Sequence, residues 1–361
     1  MKPAIVLTTL RAEGGPALAA GLTAEWAGAG MAPEVVVLSG RDRTMAPAFE
    51  ALGVRVTELD HDRIGPRHWP GIARDVARAL RRLRADAVVS IPNGVHGAIF
   101  AGAALAGVRR RVVHVGNYPW HWQDGFWKYR ATMRASAPVT PDLICVTGHV
   151  RKGVQRHFGR VARHTHVVPN GIDLDRFAFT PRPIRTEGPL VVTMVGRLDG
   201  GKDHVTLIRA VAVLKARGTD VQLRLVGEGA LGDTLRQGAC TEGVADRIAF
   251  LGARSDVPDL LAGTDVFAFS VRPEEGLGIA LVEAMAAGTR IAATDVGACR
   301  EVLDGGRCGR LVPENDPEAW ADAILEAARD ETRVRAARAR AEAVYSRRAM
   351  AEGYARVLGL S

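Results

Sequence analysis

Two glutamates, Glu275 and Glu283, lie eight positions apart in the stretch RPEEGLGIALVEAMAAG, residues 272–288, with a Gly-x-Gly turn between them. The preceding run DVFAFS reads as a buried strand, and IALVEAMAA, closed by Gly288, reads as a short helix with its C-cap. Glu275 thereby falls on a strand-to-helix loop and Glu283 on the helix. In an open α/β sheet such a loop lies at the carboxyl ends of the strands, where ligands bind, and the helix start beside it offers free backbone N–H groups. A carboxylate does not hold phosphate, but it accepts hydrogen bonds from vicinal hydroxyls. The fragment asks for a sugar joined to a phosphate. Gly276, Leu277, Gly278 and Ile279 can aim backbone N–H groups at such a ligand, since the glycines present no obstructing Cβ.

A second group of charges follows the strand PLVVTMVG. Arg197 and Lys202, in MVGRLDGGKD at 194–203, sit at the mouth of the same sheet. Two cations there would neutralise a diphosphate and stabilise the charge that builds on it as a bond to it breaks; a solvent-exposed pair is the plain alternative. GEGALG, at 227–232, fits the G-x-G-x-x-G pattern of dinucleotide sites. The strand that follows, RIAFLG, carries no acidic residue at its tip to hold an adenosine ribose, which argues against NAD or FAD.

The elements that must position these residues alternate along the whole chain. Strand candidates PAIVLTT, EVVVLS, VRVTEL, DAVVSI, RVVHV, DLICVT and HTHVVP fill the first half. PLVVTMVG, VQLRLVG, RIAFLG, DVFAFS, TRIAATD and a short GRLVP fill the second. Helical patterns between them argue for parallel sheets with crossover helices. FTPRPIRTEGP, at 179–189, with three prolines and no apolar period, is the best linker. At 361 residues and 47% apolar content the chain has room for two packed domains.

Composition excludes several classes. The four cysteines, Cys145, Cys240, Cys299 and Cys308, form no CxxC pair and no zinc or disulfide spacing, which suggests a reducing, cytoplasmic compartment. The first residues read as a buried strand, not as a signal peptide, and no run approaches the length of a membrane span. The net charge of +8 is uneven: residues 1–181 hold 24 Lys and Arg against 14 Asp and Glu. Blocks such as RALRRLRAD and VRRRVVHV could face an anionic lipid surface, or be solvated helix faces. No recognised nucleic-acid module accompanies them.

Taken in order, EGG at 13–15, VVPNGIDLDRF at 167–177, MVGRLDGGKD, LVGEGALGDTL, IAFLGARSDVPDLLAGTDVFAFS at 248–270, the paired-glutamate stretch and ATDVGACREVLDGGRCGRLVPENDPEAWADAI resemble the retaining nucleotide-sugar glycosyltransferases, the large family with bacterial mannosyl- and glucosyltransferases and sucrose synthase. The resemblance implies an α/β GT-B architecture: two Rossmann-like domains with parallel sheets facing across a cleft, and a C-terminal helix crossing back to the first. The expected division is 1–180 for the N-terminal acceptor-side domain, 188–342 for the nucleotide-sugar domain and 343–361 for the returning helix.

The resemblance also implies roles. Glu275 would meet hydroxyls of the transferred sugar and Glu283 the donor ribose. Arg197 and Lys202 match the family's arginine and lysine, so no metal is required; the chain also lacks a DxD motif in a suitable loop. Gly196, Gly14 and Gly15 would join Gly276, Leu277, Gly278 and Ile279 in binding the donor, with the base near Gly252, Ala253 and Arg254. The family often ends a strand with a histidine beside the reacting sugar. Here RVVHVGNYPW places His114 or Gly116 at that point depending on a two-residue shift; His114 is the candidate, His96 the runner-up, and a buried structural histidine the alternative. YPWHWQDGFWKYR offers Trp120, Trp122 and Trp127, with nearby cations, for acceptor stacking or a membrane-interface contact, or as a helix that packs the core.

The expected function is therefore a retaining, metal-independent hexosyltransferase of carbohydrate biosynthesis, moving a sugar from a nucleoside diphosphate sugar, a co-substrate and not a cofactor, to a hydroxyl of a glycan, glycolipid or small-molecule acceptor. It would be cytoplasmic, with possible peripheral contact at the inner, anionic membrane face and no nucleic-acid partner. The rivals are a nucleotide-sugar 2-epimerase of the same fold and a non-catalytic sugar- or lipid-binding module. Donor base, donor sugar and acceptor are not legible.

Overall fold

The computed structural model of the protein describes all residues except 93, 120–124 and 361. The chain divides into two compact units: Met1–Gly171 together with Arg347–Ser361, and Ile172–Ser346. The proline-rich segment 179–189 lies inside the second unit, so the division falls several residues before it.

The first unit is built on seven strands: β1 (Pro3–Leu7), β2 (Glu34–Val37), β3 (Arg55–Glu58), β4 (Ala87–Ser90), β5 (Arg110–Val115), β6 (Asp142–Cys145) and β7 (Thr165–Val167). They form one sheet in the order β3-β2-β1-β4-β5-β6-β7, with every pairing parallel. β1 and β4 are buried at every position, as strands covered by helices on both faces must be. The order reverses between β1 and β4, which is where a doubly wound sheet opens a crevice.

The second unit repeats the plan with β8 (Leu190–Val195), β9 (Val221–Val226), β10 (Ile248–Gly252), β11 (Val266–Phe269), β12 (Arg290–Thr294) and β13 (Arg310–Val312). Their order is β10-β9-β8-β11-β12-β13, again parallel throughout, so the switch point lies between β8 and β11. Among the described residues, all thirteen strands fall on runs that the sequence marks as strands. A core of Val192, Leu207, Leu223, Val266, Trp320 and their neighbours fills the space between this sheet and its helices.

Local signals set the helix starts that frame the site. Asp203 accepts from the Thr206 N–H at the N-cap of helix His204–Ala216, and Asp316 caps Pro317–Ala328, with proline at the first helical position. Helix Ile279–Ala287 ends on Gly288 at φ 82°, a left-handed turn in which an added Cβ would meet the Phe179 ring at 2.9 Å.

The last helix, Arg347–Leu358, belongs to the first unit. Its Tyr354 ring meets Trp26 edge to face at 6.5 Å, and the Trp26 indole donates to the Ala351 carbonyl at 3.2 Å. Tyr354, Met350 and Leu358 are buried in one cluster with Ile5, Leu22 and Val89. Each such side chain contributes roughly 1.5–3 kcal/mol of apolar burial, so the terminal helix is part of this unit's core.

Candidate functional site

The loop after β8 carries Gly196, Arg197 and Lys202, and the segment after β11 carries Glu275. Backbone contacts lace them together: the Asp203 N–H donates to the Ser270 carbonyl at 3.0 Å, and Lys202 makes an antiparallel bridge with Val271. Lys202 is thereby fixed at the switch point of the second sheet. Its Nζ is ion-paired with Glu275 Oε2 and lies 4.9 Å from the centre of the Phe269 ring. Both side chains are mostly covered, at 18% and 13% exposure, so the pair is screened far less than one on the surface. The lysine stem runs across Gly196, where a Cβ would come within 3.3 Å of Lys202 Cε.

The turn beyond Glu275 is specified by packing. Gly278 has φ 82° and caps the start of helix Ile279–Ala287; a Cβ there would sit 2.7 Å from the Phe269 ring. The Gly276 N–H donates to Glu275 Oε1 at 3.2 Å, Leu277 is buried, and Ile279 is exposed. Glu283, within the helix, is largely buried, and that burial pushes its carboxyl pKa up to about 7; the Arg176 guanidinium opposes the shift. Arg176 carries no assigned role in the sequence, although it lies in the fragment VVPNGIDLDRF. Only its placement beside a residue more than a hundred positions away reveals it.

Arg197 is not brought to the Lys202–Glu275 pair. Its side chain is 85% exposed and bound by Asp199 at 3.1 Å. Arg254 is likewise taken up by a neighbour, donating twice to Asp256 at 2.7 and 2.5 Å. Gly252, at φ 67°, stands beside Glu228, whose Oε1 accepts weakly from the Ala253 N–H at 3.4 Å. Glu228 is a polar group at the expected base position that the sequence does not single out.

The glycines of GEGALG have a structural reason. A Cβ on Gly227 would lie 2.0 Å from the Gly196 carbonyl oxygen, and one on Gly229 2.3 Å from that of Leu198. The two loops meet backbone to backbone, with N–H to carbonyl bonds from Gly196 to Val226, Leu198 to Glu228 and Leu231 to Leu198, each of 2.9 Å. The pattern serves loop-to-loop packing.

In the first unit, Gly14 and Gly15 open helix Gly14–Gly28 just after β1. Open space surrounds a Cβ at Gly14, whereas one at Gly15 would press on Ile91 at 3.2 Å. His114, near the carboxyl end of β5, is 7% exposed, with Nδ1 2.7 Å from the Tyr354 hydroxyl. Burial lowers its pKa to about 4, so the imidazole is neutral at physiological pH. A Cβ at Gly116 would come within 3.0 Å of its Nε2.

His96 begins helix His96–Leu105 and is fully buried, its Nε2 2.6 Å from Ser136 Oγ. Since that hydroxyl donates its proton to the Met133 carbonyl, the imidazole is the donor and carries hydrogen on Nε2. This ties two helices together. Trp127 is 69% exposed, with the Arg130 guanidinium 5.0 Å from its ring centre, so it does not pack in the core. Trp120 and Trp122 lie outside the described residues. Among the described residues no group of three or more His, Cys, Asp and Glu could hold a metal, and no helix is long and apolar enough to cross a membrane.

Comparison with known proteins matches both halves of the chain. Residues 13–176 fit the model of Glycosyltransferase Family 4 and residues 189–330 that of Glycosyl transferases group 1. The chain is 31% identical over 249 residues to a putative glycosyltransferase, EpsF, of Bacillus subtilis, covering 64% of this chain and 63% of that protein. It is 39% identical over 163 residues to the phosphatidyl-myo-inositol mannosyltransferase of Mycolicibacterium smegmatis, covering 44% and 41%. The chain thus spans about half the length of these curated relatives. The crystal structure of Anabaena Alr3699/HepE in complex with UDP and glucose superposes with a TM-score of 0.82 at 20% identity over 100% of both chains. A glycosyltransferase from Rickettsia africae gives 0.81 at 17% over 100% of this chain and 99% of the other.

Proposed function

The chain belongs to the GT-B glycosyltransferases by its fold and by the family models that match its two halves, and from that premise we propose that it transfers a hexosyl group from a nucleoside diphosphate sugar to an acceptor hydroxyl, with retention at the anomeric carbon. The observation that carries this reading is the convergence of Lys202 and Glu275 at the switch point of the second sheet, beside the start of helix Ile279–Ala287.

A donor diphosphate is a stronger partner for the Lys202 ammonium than one carboxylate, because it brings more charge. Lys202 would turn to the leaving diphosphate as negative charge grows there, and Glu275 would be freed to accept hydrogen bonds from hydroxyls of the sugar. Glu283, in this reading, accepts the ribose hydroxyls. Arg197, on an exposed loop, would leave Asp199 and close on the same phosphates. Retention would follow a front-face displacement: the bond to the leaving diphosphate breaks, the acceptor oxygen attacks from the same side, and the diphosphate takes up the acceptor proton. Two side-chain cations replace a metal here, so chelation should leave transfer intact.

The similarity to a phosphatidyl-myo-inositol mannosyltransferase suggests a phosphatidylinositol-type acceptor, and the cationic excess of residues 1–181 supports work at the cytoplasmic face of an anionic membrane. A 2-epimerase is not favoured, since it needs acid and base carboxylates where Glu275 is held by Lys202.

Thermal shift across UDP-, GDP- and ADP-sugars tests the reading, because a ligand that binds only the folded chain raises its melting temperature. At least one donor should stabilise the protein and be slowly hydrolysed, with the α-anomer released from an α-donor. If no donor binds, or the product is an epimerised nucleotide sugar, the proposal fails.

A further inference from the structure

The first unit holds a basin of about 970 Å³ at the edge of the sheet opposite to His114. Its lining includes Arg111 at the start of β5, Asp142 at the start of β6, and residues just ahead of β7. The parallel strands run away from it, toward Val115, Cys145 and Val167.

Four arginines line it: Arg111, Arg134, Arg160 and Arg163. Among the described residues none of these four is held by a carboxylate, whereas Arg217, Arg247, Arg254 and Arg310 of the second unit each are. The acid in the lining, Asp142, is engaged by His166 Nε2 at 2.9 Å. Arg111 spends one terminal nitrogen on the Phe100 carbonyl at 3.3 Å, but its Nε is buried with no partner. Thr140, 6% exposed and also in the lining, has a buried hydroxyl with no partner. Native interiors rarely leave such groups unmet; an ordered water, an ion or a ligand completes them.

Clustered guanidinium forks match the oxygens of phosphate. The volume is at the upper end of small-molecule pockets, and Phe158 with neighbouring alanines, valines and prolines supplies an apolar wall for a carbon skeleton. We propose that this basin binds a phosphate monoester, gripped by Arg134, Arg160 and Arg163 at its rim with Arg111 behind them, as a site separate from the transfer site. The phosphate has two chemical sources, a soluble phosphoester or the headgroup of an anionic lipid.

The test uses the full chain carrying Lys202→Ala and Arg197→Ala, so that phosphate held by these two cations of the second unit does not contribute. Calorimetric titration with inorganic phosphate and glycerol 3-phosphate is run against chloride at matched ionic strength. Co-sedimentation with phosphatidic acid vesicles is run against phosphatidylcholine alone. Adding Arg134→Ala, Arg160→Ala and Arg163→Ala, all exposed positions, should weaken binding by about tenfold or more, as the loss of charge-assisted bonds requires. Glycerol 3-phosphate binding that the triple change abolishes identifies a soluble ligand. Binding to phosphatidic acid vesicles alone, abolished in the same way, identifies a headgroup. Absence of binding by every probe, or equal binding with and without the triple change, overturns the proposal. Should the triple variant fail to fold, Arg160→Glu and Thr140→Val give the same comparison.

Discussion

The Lys202 ammonium is held by the Glu275 carboxylate across the mouth between β8 and β11, joining two residues 73 positions apart in the chain. Because both side chains are mostly covered, neither can lose the other without leaving a charge poorly compensated. That coupling makes the proposed transfer chemistry testable residue by residue.

Lys202→Ala should lower kcat by roughly 10²-fold or more, since it removes stabilisation of charge that grows in the transition state. Glu275→Gln should also slow transfer, and the double variant should lose less than the product of the two single losses, because the residues act as a unit. Steady-state kinetics of the three variants decides it; strictly multiplicative losses would show that the pair is not one functional element.

Arg197→Ala separates catalysis from stability. With its side chain 85% exposed, the folding stability should change by no more than about 0.5 kcal/mol. Turnover should nevertheless fall by roughly 10²-fold if the guanidinium closes on the diphosphate. Unchanged turnover would leave Arg197 as an ordinary surface partner of Asp199.

Glu283 should give the unliganded protein an unusual pH dependence. Its folded pKa of about 7 is raised by burial, so between its ordinary range and pH 7 the folded state binds the extra proton. Its contribution to stability is therefore full at low pH and is lost as pH rises through about 7. Glu283→Gln should flatten that fall and gain roughly 2–3 kcal/mol at most relative to the parent at pH 8. Denaturant melts at pH 5 and pH 8 measure it; parallel changes in parent and variant would refute the assignment.

His114 should stay neutral far below the usual histidine range. Its pKa of about 4 is set by burial, so its effect on stability is the reverse of that of Glu283: stability is lost as pH falls from about 6.5 toward 4. Nitrogen-15 NMR of the imidazole should show no protonation step near pH 6.5. Tyr354→Phe, which removes the hydroxyl 2.7 Å from Nδ1, should cost about 1–2 kcal/mol and disturb the tautomer signal. A histidine titrating normally would remove burial as the controlling factor.

Two glycines should respond oppositely. Gly227→Ala drives a methyl into the Gly196 carbonyl and should destabilise by roughly 3 kcal/mol or more, whereas Gly14→Ala enters open space and should leave the melting temperature nearly unchanged. A fall in turnover for Gly14→Ala without a fall in stability would then report a ligand approaching that backbone. Thermal melts and donor kinetics on both variants provide the check.

Much of this architecture is a property of the sequence alone. Short β-branched runs alternating with amphipathic stretches determine parallel strands and crossover helices, because the two periodicities are local and burial on both faces leaves no polar alternation. The eight-residue spacing of Glu275 and Glu283, the glycine turn between them and the cap at Gly288 are equally local, and so is the family resemblance they carry. What only the tertiary structure decided are the through-space partnerships. Lys202 finds Glu275 because β11 is laid beside β8 after two intervening strands. Arg197, five residues before Lys202, turns to solvent and Asp199 because its loop is pinned through Asp203 and Ser270. His114 is buried and neutral because a helix from the end of the chain brings Tyr354 onto it. Gly227 must be glycine because another loop's carbonyl passes within 2.0 Å of its Cβ position. Charge, burial and steric room at a point in space are sums over segments distant in the chain, and no window of sequence contains those sums.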